Sequence, residues 1–337
     1  MGGGGAVTED LLEVSDLVVR YPVQRGIVGT MRRRPKEQVH AVEGVSFSLG
    51  RGQMLALVGE SGCGKTTTAH AILRLVEAQG GRIVLDGRDI TRLNHGELRP
   101  LRRSVQIIYQ DPYESLDPRF RVRDAVEEPL KIHRIGDAGA DRRARVVQAL
   151  ERVGLTPPDL FLDRYPHELS GGQRQRVAVA CALVLGPELL VADEPVSMLD
   201  VSIRAGVLSL LHDLRRSGLA ILMITHDLST AAHFADRIAV MYLGRVVEEG
   251  PAKEIARNPQ HPYTKALMSV VPRPDPRDRS RREILHGETP DPVHVPPGCR
   301  FHPRCPIAQG VCREQDPELR PTERGATPDH RAACLFT

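Results

Sequence analysis

The segment Gly59-Glu60-Ser61-Gly62-Cys63-Gly64-Lys65-Thr66 constrains this chain more than any other. It fits the pattern G-x-x-x-x-G-K-[ST], follows the short apolar run Met54 to Val58, and opens a helical pattern that reaches about Val76. A buried strand that turns through glycines into a helix is a phosphate-binding arrangement. The glycines let successive backbone N–H groups turn inward, and the helix contributes the positive end of its dipole. Lys65 supplies a point charge to the terminal phosphates, and the Thr66 hydroxyl can ligate Mg²⁺.

The rest of the chain supports an α/β core around that loop. Leu11 to Tyr21 and His40 to Leu49 read as strands, separated by a basic loop from Arg25 to Lys36 that contains Arg32, Arg33 and Arg34. Ile83 to Leu85, ending in an Asp86-Gly87 turn, and Val105 to Ile108 are further short strands. Between Asp111 and Leu185 the strand signal fades, and apolar residues such as Val146, Leu150 and Val153 recur at helical spacing. Alternation resumes with Leu189 to Ala192, Ile203 to Leu214, Ala220 to Ile224, Leu228 to Phe234 and Ile238 to Tyr242. This is an α/β sheet interrupted by a helical insertion.

Composition excludes several classes. With 337 residues, 41% of them hydrophobic and 26% charged, the chain can bury a proper core and is not of the disordered class. Forty-six Lys and Arg against 43 Asp and Glu leave a net charge of +3, too small an excess to predict nucleic-acid binding by bulk charge. Even an apolar stretch such as Ala178 to Leu185 falls far short of the roughly 18 residues that cross a bilayer. The N-terminus carries neither a basic region nor an apolar signal segment. The expectation is a cytosolic enzyme, or a subunit of a larger assembly.

Two further segments carry chemistry. Leu189 to Ala192 runs into Asp193-Glu194. Loops at the carboxyl ends of parallel strands hold the ligand, so Asp193 is placed for Mg²⁺ and Glu194 for the attacking water as general base. Leu169-Ser170-Gly171-Gly172-Gln173-Arg174-Gln175-Arg176 reads as a helix N-terminus that Ser170 caps and two glycines open to close approach, a second phosphate-binding surface.

With these residues in place the chain resembles the ATP-binding subunits of ABC transporters, the stretch from Leu169 to Arg176 being their signature. Gln110-Asp111-Pro112-Tyr113-Glu114-Ser115-Leu116-Asp117-Pro118-Arg119, His261-Pro262-Tyr263-Thr264-Lys265-Ala266-Leu267 and Cys299-Arg300-Phe301-His302-Pro303-Arg304-Cys305-Pro306 make it similar to the oligopeptide/dipeptide importer branch, most of all to the second of the two ATPases such systems use. The resemblance implies an ABC-type P-loop NTPase core (residues 1–270) with an antiparallel β subdomain and a helical subdomain at about 111–185. A Pro-rich linker and a small cysteine-bearing tail follow (271–337).

The resemblance also assigns roles. Tyr21 stacks on adenine, Gly59 to Thr67 bind nucleotide, Gln110 contacts Mg²⁺ and water, and His226 contacts the γ-phosphate. Ser170, Gly171, Gly172 and Gln173 cover a partner's ATP, and Asp200 of the D-loop communicates with the partner's site. The implied cofactors are ATP and Mg²⁺. The implied partners are a second ATPase subunit in a heterodimer, two transmembrane permease subunits and an extracellular substrate-binding protein, with no nucleic acid. The chain would then sit peripherally on the cytoplasmic face of the membrane. The basic loop from Arg25 to Lys36 would be a solvated surface or a contact with lipid head groups or a permease.

Peptides are the cargo this branch implies, with nickel, glutathione or oligosaccharide as alternatives. Selectivity lies in other subunits, so no residue of this chain reads the cargo. Functions outside import are an accessory ATPase of a carbon–phosphorus lyase and an ABC ATPase acting on DNA or ribosomes. The latter usually carries tandem cassettes or long coiled coils, and neither is present.

Four of the six cysteines, Cys299, Cys305, Cys312 and Cys334, crowd the final 39 residues. In a cytosolic chain such a group reads as metal binding before disulfides. A segment rich in proline and charge, with few large apolar residues, is expected to need a cross-link. A [4Fe–4S] cluster, structural zinc, with His302 or His330 as a substitute ligand, and free thiols or disulfides all remain open.

Overall fold

The computed structural model describes residues 10–23, 37–111, 115–136, 139–271, 285, 287–323, 325 and 327–337. The basic loop from Arg25 to Lys36, Pro112-Tyr113-Glu114 and the basic, Pro-rich linker up to Ile284 lie outside them. The chain forms two compact units: Leu12–Ser48, Leu55–Thr91 and Thr225–Thr337 make one, here the loop unit, and Met1–Leu11, Leu49–Met54 and Arg92–Ile224 the other, the helical unit.

The first strands of the chain are β1 (Asp10–Pro22), β2 (Gln38–Gly50) and β3 (Met54–Val58). Helix α1 (Lys65–Ile72) follows, then β4 (Gly80–Leu85) and β5 (Arg88–Asp89). Strands β2-β1-β4-β5 form one sheet, with β1 and β4 antiparallel in the register Leu12 to Leu85 and Val14 to Ile83. Alternation along β1 puts Leu12 and Val14 inside and, after a register shift between Ser15 and Val18, Leu17 and Val19. All five residues of β3 are buried, as a strand covered on both faces requires.

The helical unit holds α2 (His95–Ser104), β6 (Val105–Ile108), α3 (Val122–Ile132), α4 (Gly139–Arg152), α5 (Asp159–Leu162) and α6 (Gly171–Leu183). Strand β7 (Leu189–Asp193), helix α7 (Val201–Arg216) and strand β8 (Ala220–Thr225) complete it. Strands β6, β7 and β8 are parallel neighbours, and β7 and β8 are buried throughout. Helices α3, α4 and α6 pack on one another, and Val126, Leu130, Val146, Leu150 and Val179 on them are buried, so the helical periodicity of this stretch is real.

The chain returns to the loop unit with α8 (Leu228–Phe234), β9 (Arg237–Tyr242), β10 (Arg245–Pro251), α9 (Ala252–Arg257), α10 (Pro262–Ser269), β11 (Arg320–Pro321) and β12 (Arg331–Ala332). Strand β3 lies parallel to β9, β10 antiparallel to β9, and β12 pairs with both β10 and β11.

The tail is held by more than two short strands. His330 is fully buried, with Nε2 at 2.7 Å from Glu248 Oε1 and Nδ1 at 3.2 Å from Glu254 Oε1. Glu248 also accepts the N–H groups of Gln260 and His261. Burial alone would depress the His330 pKa, but the hydrogen bond to Glu248 and the charges of Glu248 and Glu254 outweigh it and raise the value. The stabilisation is therefore complete below about pH 6.5, the ordinary histidine value, and fades as pH rises through the higher folded one. Replacing His330 with Gln is expected to lower the melting temperature most at or below pH 6.5 and less with each step toward pH 9, as thermal denaturation across that range would show. An unchanged difference across the range would mean that the imidazolium contributes nothing. The tail thus gains non-covalent anchors that its composition alone did not suggest.

Candidate functional site

In the loop unit, β3 delivers the chain to Gly59, where a Cβ would sit 2.2 Å from the Met241 carbonyl oxygen of β9. Gly64 is at φ +105, and a Cβ there would lie 2.2 Å from the Ala41 carbonyl. Both positions need glycine for close backbone approach, and Gly64 needs it for its left-handed turn as well. Gly64 is the N-cap of α1 and, as a glycine, brings no side-chain acceptor of its own to the first turn. Lys65 is buried, and its Nζ donates to the carbonyls of Gly59 (2.7 Å) and Glu60 (2.9 Å), which hold the ammonium over the loop. Burial pushes the Cys63 thiol up, leaving it a packing residue. Helix α1 stops at Ile72, short of Val76, because Arg74 turns left-handed at φ +54.

Glu60 is the most heavily supported residue of the loop. Its N–H donates to Tyr263 Oη at 2.9 Å, and its carboxylate accepts from Arg304 Nη1 (2.8 Å), Arg304 Nη2 (3.3 Å) and Thr289 Oγ1 (2.8 Å). Burial would raise its pKa, but the hydrogen bonds from Arg304 and Thr289 outweigh that and hold it below the ordinary glutamate value. Tyr21, at the end of β1, is 36% exposed, an accessible ring of the kind an adenine can stack on. His226 follows β8 directly, and Asp227 behind it caps α8 by accepting the Ser229 and Thr230 N–H groups.

In the helical unit β7 ends in Asp193, which is 7% exposed, and Glu194 follows in the left-handed region at φ +45 with its N–H bonded to the Ile224 carbonyl. Gln110 Nε2 donates to Glu194 Oε2 at 3.2 Å. Two residues 84 positions apart that sequence reasoning singled out are thus brought into contact. The hydroxyl of Thr66, the amide of Gln110 and the carboxylate of Asp193 are the hard oxygen donors that Mg²⁺ prefers.

Ser170 caps α6 as expected: its Oγ accepts the Gln173 N–H at 3.3 Å, and Gln173 Oε1 accepts the Ser170 N–H at 3.0 Å. A Cβ on Gly172 would meet Ile203 Cγ2 at 2.6 Å, so this glycine seats α6 against α7. Asp200 is the N-cap of α7 but makes no side-chain cap bond, which leaves its carboxylate for another use.

The tail cysteines are four free thiols. Burial raises the Cys299 pKa to about 11, and the charges of Cys305, Cys312 and Cys334 push the same way, so Cys299 lies within electrostatic range of the other three. Among the described residues, however, no group of three or more His, Cys, Asp or Glu side chains is arranged to hold a metal ion. The structure therefore shows no ligand set for the expected metal centre.

A glycine-rich cradle between a buried parallel strand and a helix, with acidic groups at the end of another parallel strand, defines a P-loop nucleotide-binding protein. Comparison with known proteins narrows the class. Residues 42–197 match the ABC transporter family and residues 247–312 the C-terminal region of oligopeptide/dipeptide transporters. The chain is 45% identical over 330 residues, 97% of each protein, to the oligopeptide transport ATP-binding protein AppF of Bacillus subtilis. It is 50% identical over 289 residues to the glutathione import ATP-binding protein GsiA of Escherichia coli, spanning 85% of this chain and 45% of GsiA. Among solved structures, the dimeric ATP-binding cassette MJ0796 with ADP and Pi is 28% identical with a TM-score of 0.62, covering 72% of this chain and 98% of that one. For cbiO1 of Clostridium perfringens the values are 29% and 0.62, with 74% and 91% covered. The chain belongs to the ATP-binding subunits of oligopeptide/dipeptide-type ABC transporters, which are ATPases coupled to transport. No helix among the described residues is long and apolar enough to cross a membrane.

Three residues of this site escaped the sequence reading, Tyr263, Thr289 and Arg304. Tyr263 and Arg304 appear there only inside branch motifs and Thr289 not at all, because no local pattern reports a bond to a loop more than two hundred positions away.

Proposed function

We propose that the chain hydrolyses ATP to drive import of peptides through a membrane complex, as a peripheral subunit on the cytoplasmic face. The observation that carries this is the coexistence, in one chain 45% identical to an oligopeptide transport ATPase subunit, of a phosphate cradle and a capped Ser170 helix start. In this reading Gly59 to Thr67 bind ATP, Tyr21 stacks on its adenine, and Thr66, Gln110 and Asp193 hold Mg²⁺, whose charge neutralises the phosphates. Glu194 accepts the proton of the attacking water, oriented by Gln110, and His226 donates to the γ-phosphate. Ser170 to Gln173 and Asp200 face the nucleotide of a second ATPase subunit, so that closure requires ATP and hydrolysis reopens the pair. The two permease subunits and an extracellular binding protein complete the complex. Reconstitution of the chain with its permeases and binding protein in proteoliposomes tests the reading. Uptake of labelled peptide driven by enclosed ATP is the expected result, and co-purification with a soluble lyase core instead would overturn it.

A second reading, glutathione as cargo, rests on the 50% identity to GsiA. Glutathione is itself a tripeptide, so competition between glutathione and linear peptides in the same vesicles separates the two.

For the tail we propose a [4Fe–4S] cluster on Cys299, Cys305, Cys312 and Cys334, with zinc as the alternative. What supports it is four free thiols, with Cys299 in electrostatic range of the other three, and three of the four within the matched oligopeptide-transporter region. Anaerobic purification is expected to give about four irons with matching sulfide per chain. One zinc would select the alternative, and four freely alkylated thiols with neither metal would remove both.

A further inference from the structure

Two of the motifs that mark the branch, His261-Pro262-Tyr263 and the stretch from Cys299 to Cys305, contain residues that neither ATP chemistry nor a metal centre uses. The structure gathers them directly behind the phosphate loop. Tyr242 of β9, Tyr263 of α10 and Phe301 of the tail are each at most 1% exposed and form a three-ring cluster, with centroids 4.8 Å (Tyr242 to Tyr263), 5.1 Å (Tyr242 to Phe301) and 5.5 Å (Tyr263 to Phe301) apart. From this rigid base Tyr263 Oη accepts the Glu60 N–H. Arg304, on the 3₁₀ turn His302–Arg304, lies over the Tyr242 ring at 5.9 Å and forks onto both carboxylate oxygens of Glu60. Its side chain is only 9% exposed, so this pair is not a solvated surface bridge.

Glu60 is an awkward residue for a loop that binds a polyanion. Its carboxylate is near enough to feel the Lys65 ammonium, and left unpaired it would compete for that ammonium and repel the phosphates. We propose that Arg304 is a positioning residue for ATP binding: by forking onto Glu60 it neutralises the one carboxylate of the phosphate loop and, with Tyr263, fixes the loop's first turn. The C-terminal region is on this account a structural part of the nucleotide site, independent of any metal on its cysteines. The proposal rests on the ATPase reading given above.

The test uses the full-length chain and MgATP. Arg304→Gln frees the carboxylate and is expected to weaken MgATP binding about tenfold, toward the lower end of measured site-to-site couplings. In the assembled transporter the loss should fall on KM for ATP with kcat nearly unchanged. Removing the stranded charge as well, in Glu60→Gln/Arg304→Gln, should recover most of the affinity, and Arg304→Lys should recover part. A merely structural role for Arg304 would show no rescue by Glu60→Gln, and that result overturns the proposal, as does wild-type affinity in Arg304→Gln. If Arg304→Gln does not fold, Tyr263→Phe, which removes only the Oη acceptor, carries the test, with weaker MgATP binding at an unchanged melting temperature as the expected result and unchanged binding as the refutation. Lys65→Ala is the control. If it binds MgATP normally the ATPase reading itself fails, whereas loss of binding in Lys65→Ala with none in Arg304→Gln refutes the positioning role alone.

Discussion

Replacing Glu194 with Gln is expected to abolish turnover while leaving ATP binding nearly intact. Gln preserves the size of the side chain and an oxygen for the Gln110 amide to donate to, so the 3.2 Å contact survives. What it cannot do is take a proton from water. General-base catalysis contributes about 10²- to 10⁴-fold, and steady-state phosphate release in the assembled transporter should fall by that range. The phosphate loop and Asp193 remain, so MgATP still binds, and the subunit should accumulate in its ATP-closed form. The left-handed backbone of Glu194 matters to the choice of substitution. A residue strained at this position is held there by its neighbours, and Ala would alter the turn as well as the chemistry. In the proposed pairing with a second ATPase subunit a second site is present, so single-turnover measurements that resolve both sites are required. A normal rate at the site containing this Glu194 would remove it from the role of base.

The local grammar of this chain is legible in its sequence, and its long-range contacts are not. Strands β3 and β6 and helix α8 fall where apolar runs and periodicity put them, because a buried parallel strand and an amphipathic helix each advertise themselves within ten residues. The Ser170 cap is likewise local, a serine three residues before a glutamine. By contrast β10, α10 and the two-residue strands β11 and β12 were missed. Their signals are short, and the pairing of Glu248 with Ala332 closes a loop of more than eighty residues. The tail's composition offers it no core of its own, and nothing local in the sequence tells that Phe301 and His330 find aromatic and acidic partners elsewhere in the loop unit. The site divides in the same way. Gly59 to Thr66 is a contiguous pattern, whereas the supports of Glu60 come from 203, 229 and 244 positions away and leave no periodicity to read.

Lys65→Ala should produce the opposite phenotype from Glu194→Gln, with nucleotide binding lost before hydrolysis can be asked about. The Lys65 ammonium is 5% exposed and rests on the carbonyls of Gly59 and Glu60, a position it can leave only for a stronger acceptor. A phosphate oxygen is such an acceptor, since charge-assisted hydrogen bonds are about twice as strong as neutral ones. Losing one or two of them, at about 1.5–3 kcal/mol each, corresponds to roughly ten- to more than a hundredfold in affinity. Removing the cation also leaves the Glu60 carboxylate, paired with Arg304 but no longer balanced by Lys65, as an added repulsion. Lys65→Arg should rescue little, because a planar guanidinium cannot occupy a pocket shaped by two backbone carbonyls around a compact ammonium. Equilibrium binding of MgATP and MgADP measures this. Both should weaken, ATP more than ADP, because the charge serves the terminal phosphates. Equal affinities in the variant and the parent would show that the loop holds phosphate by its N–H groups alone.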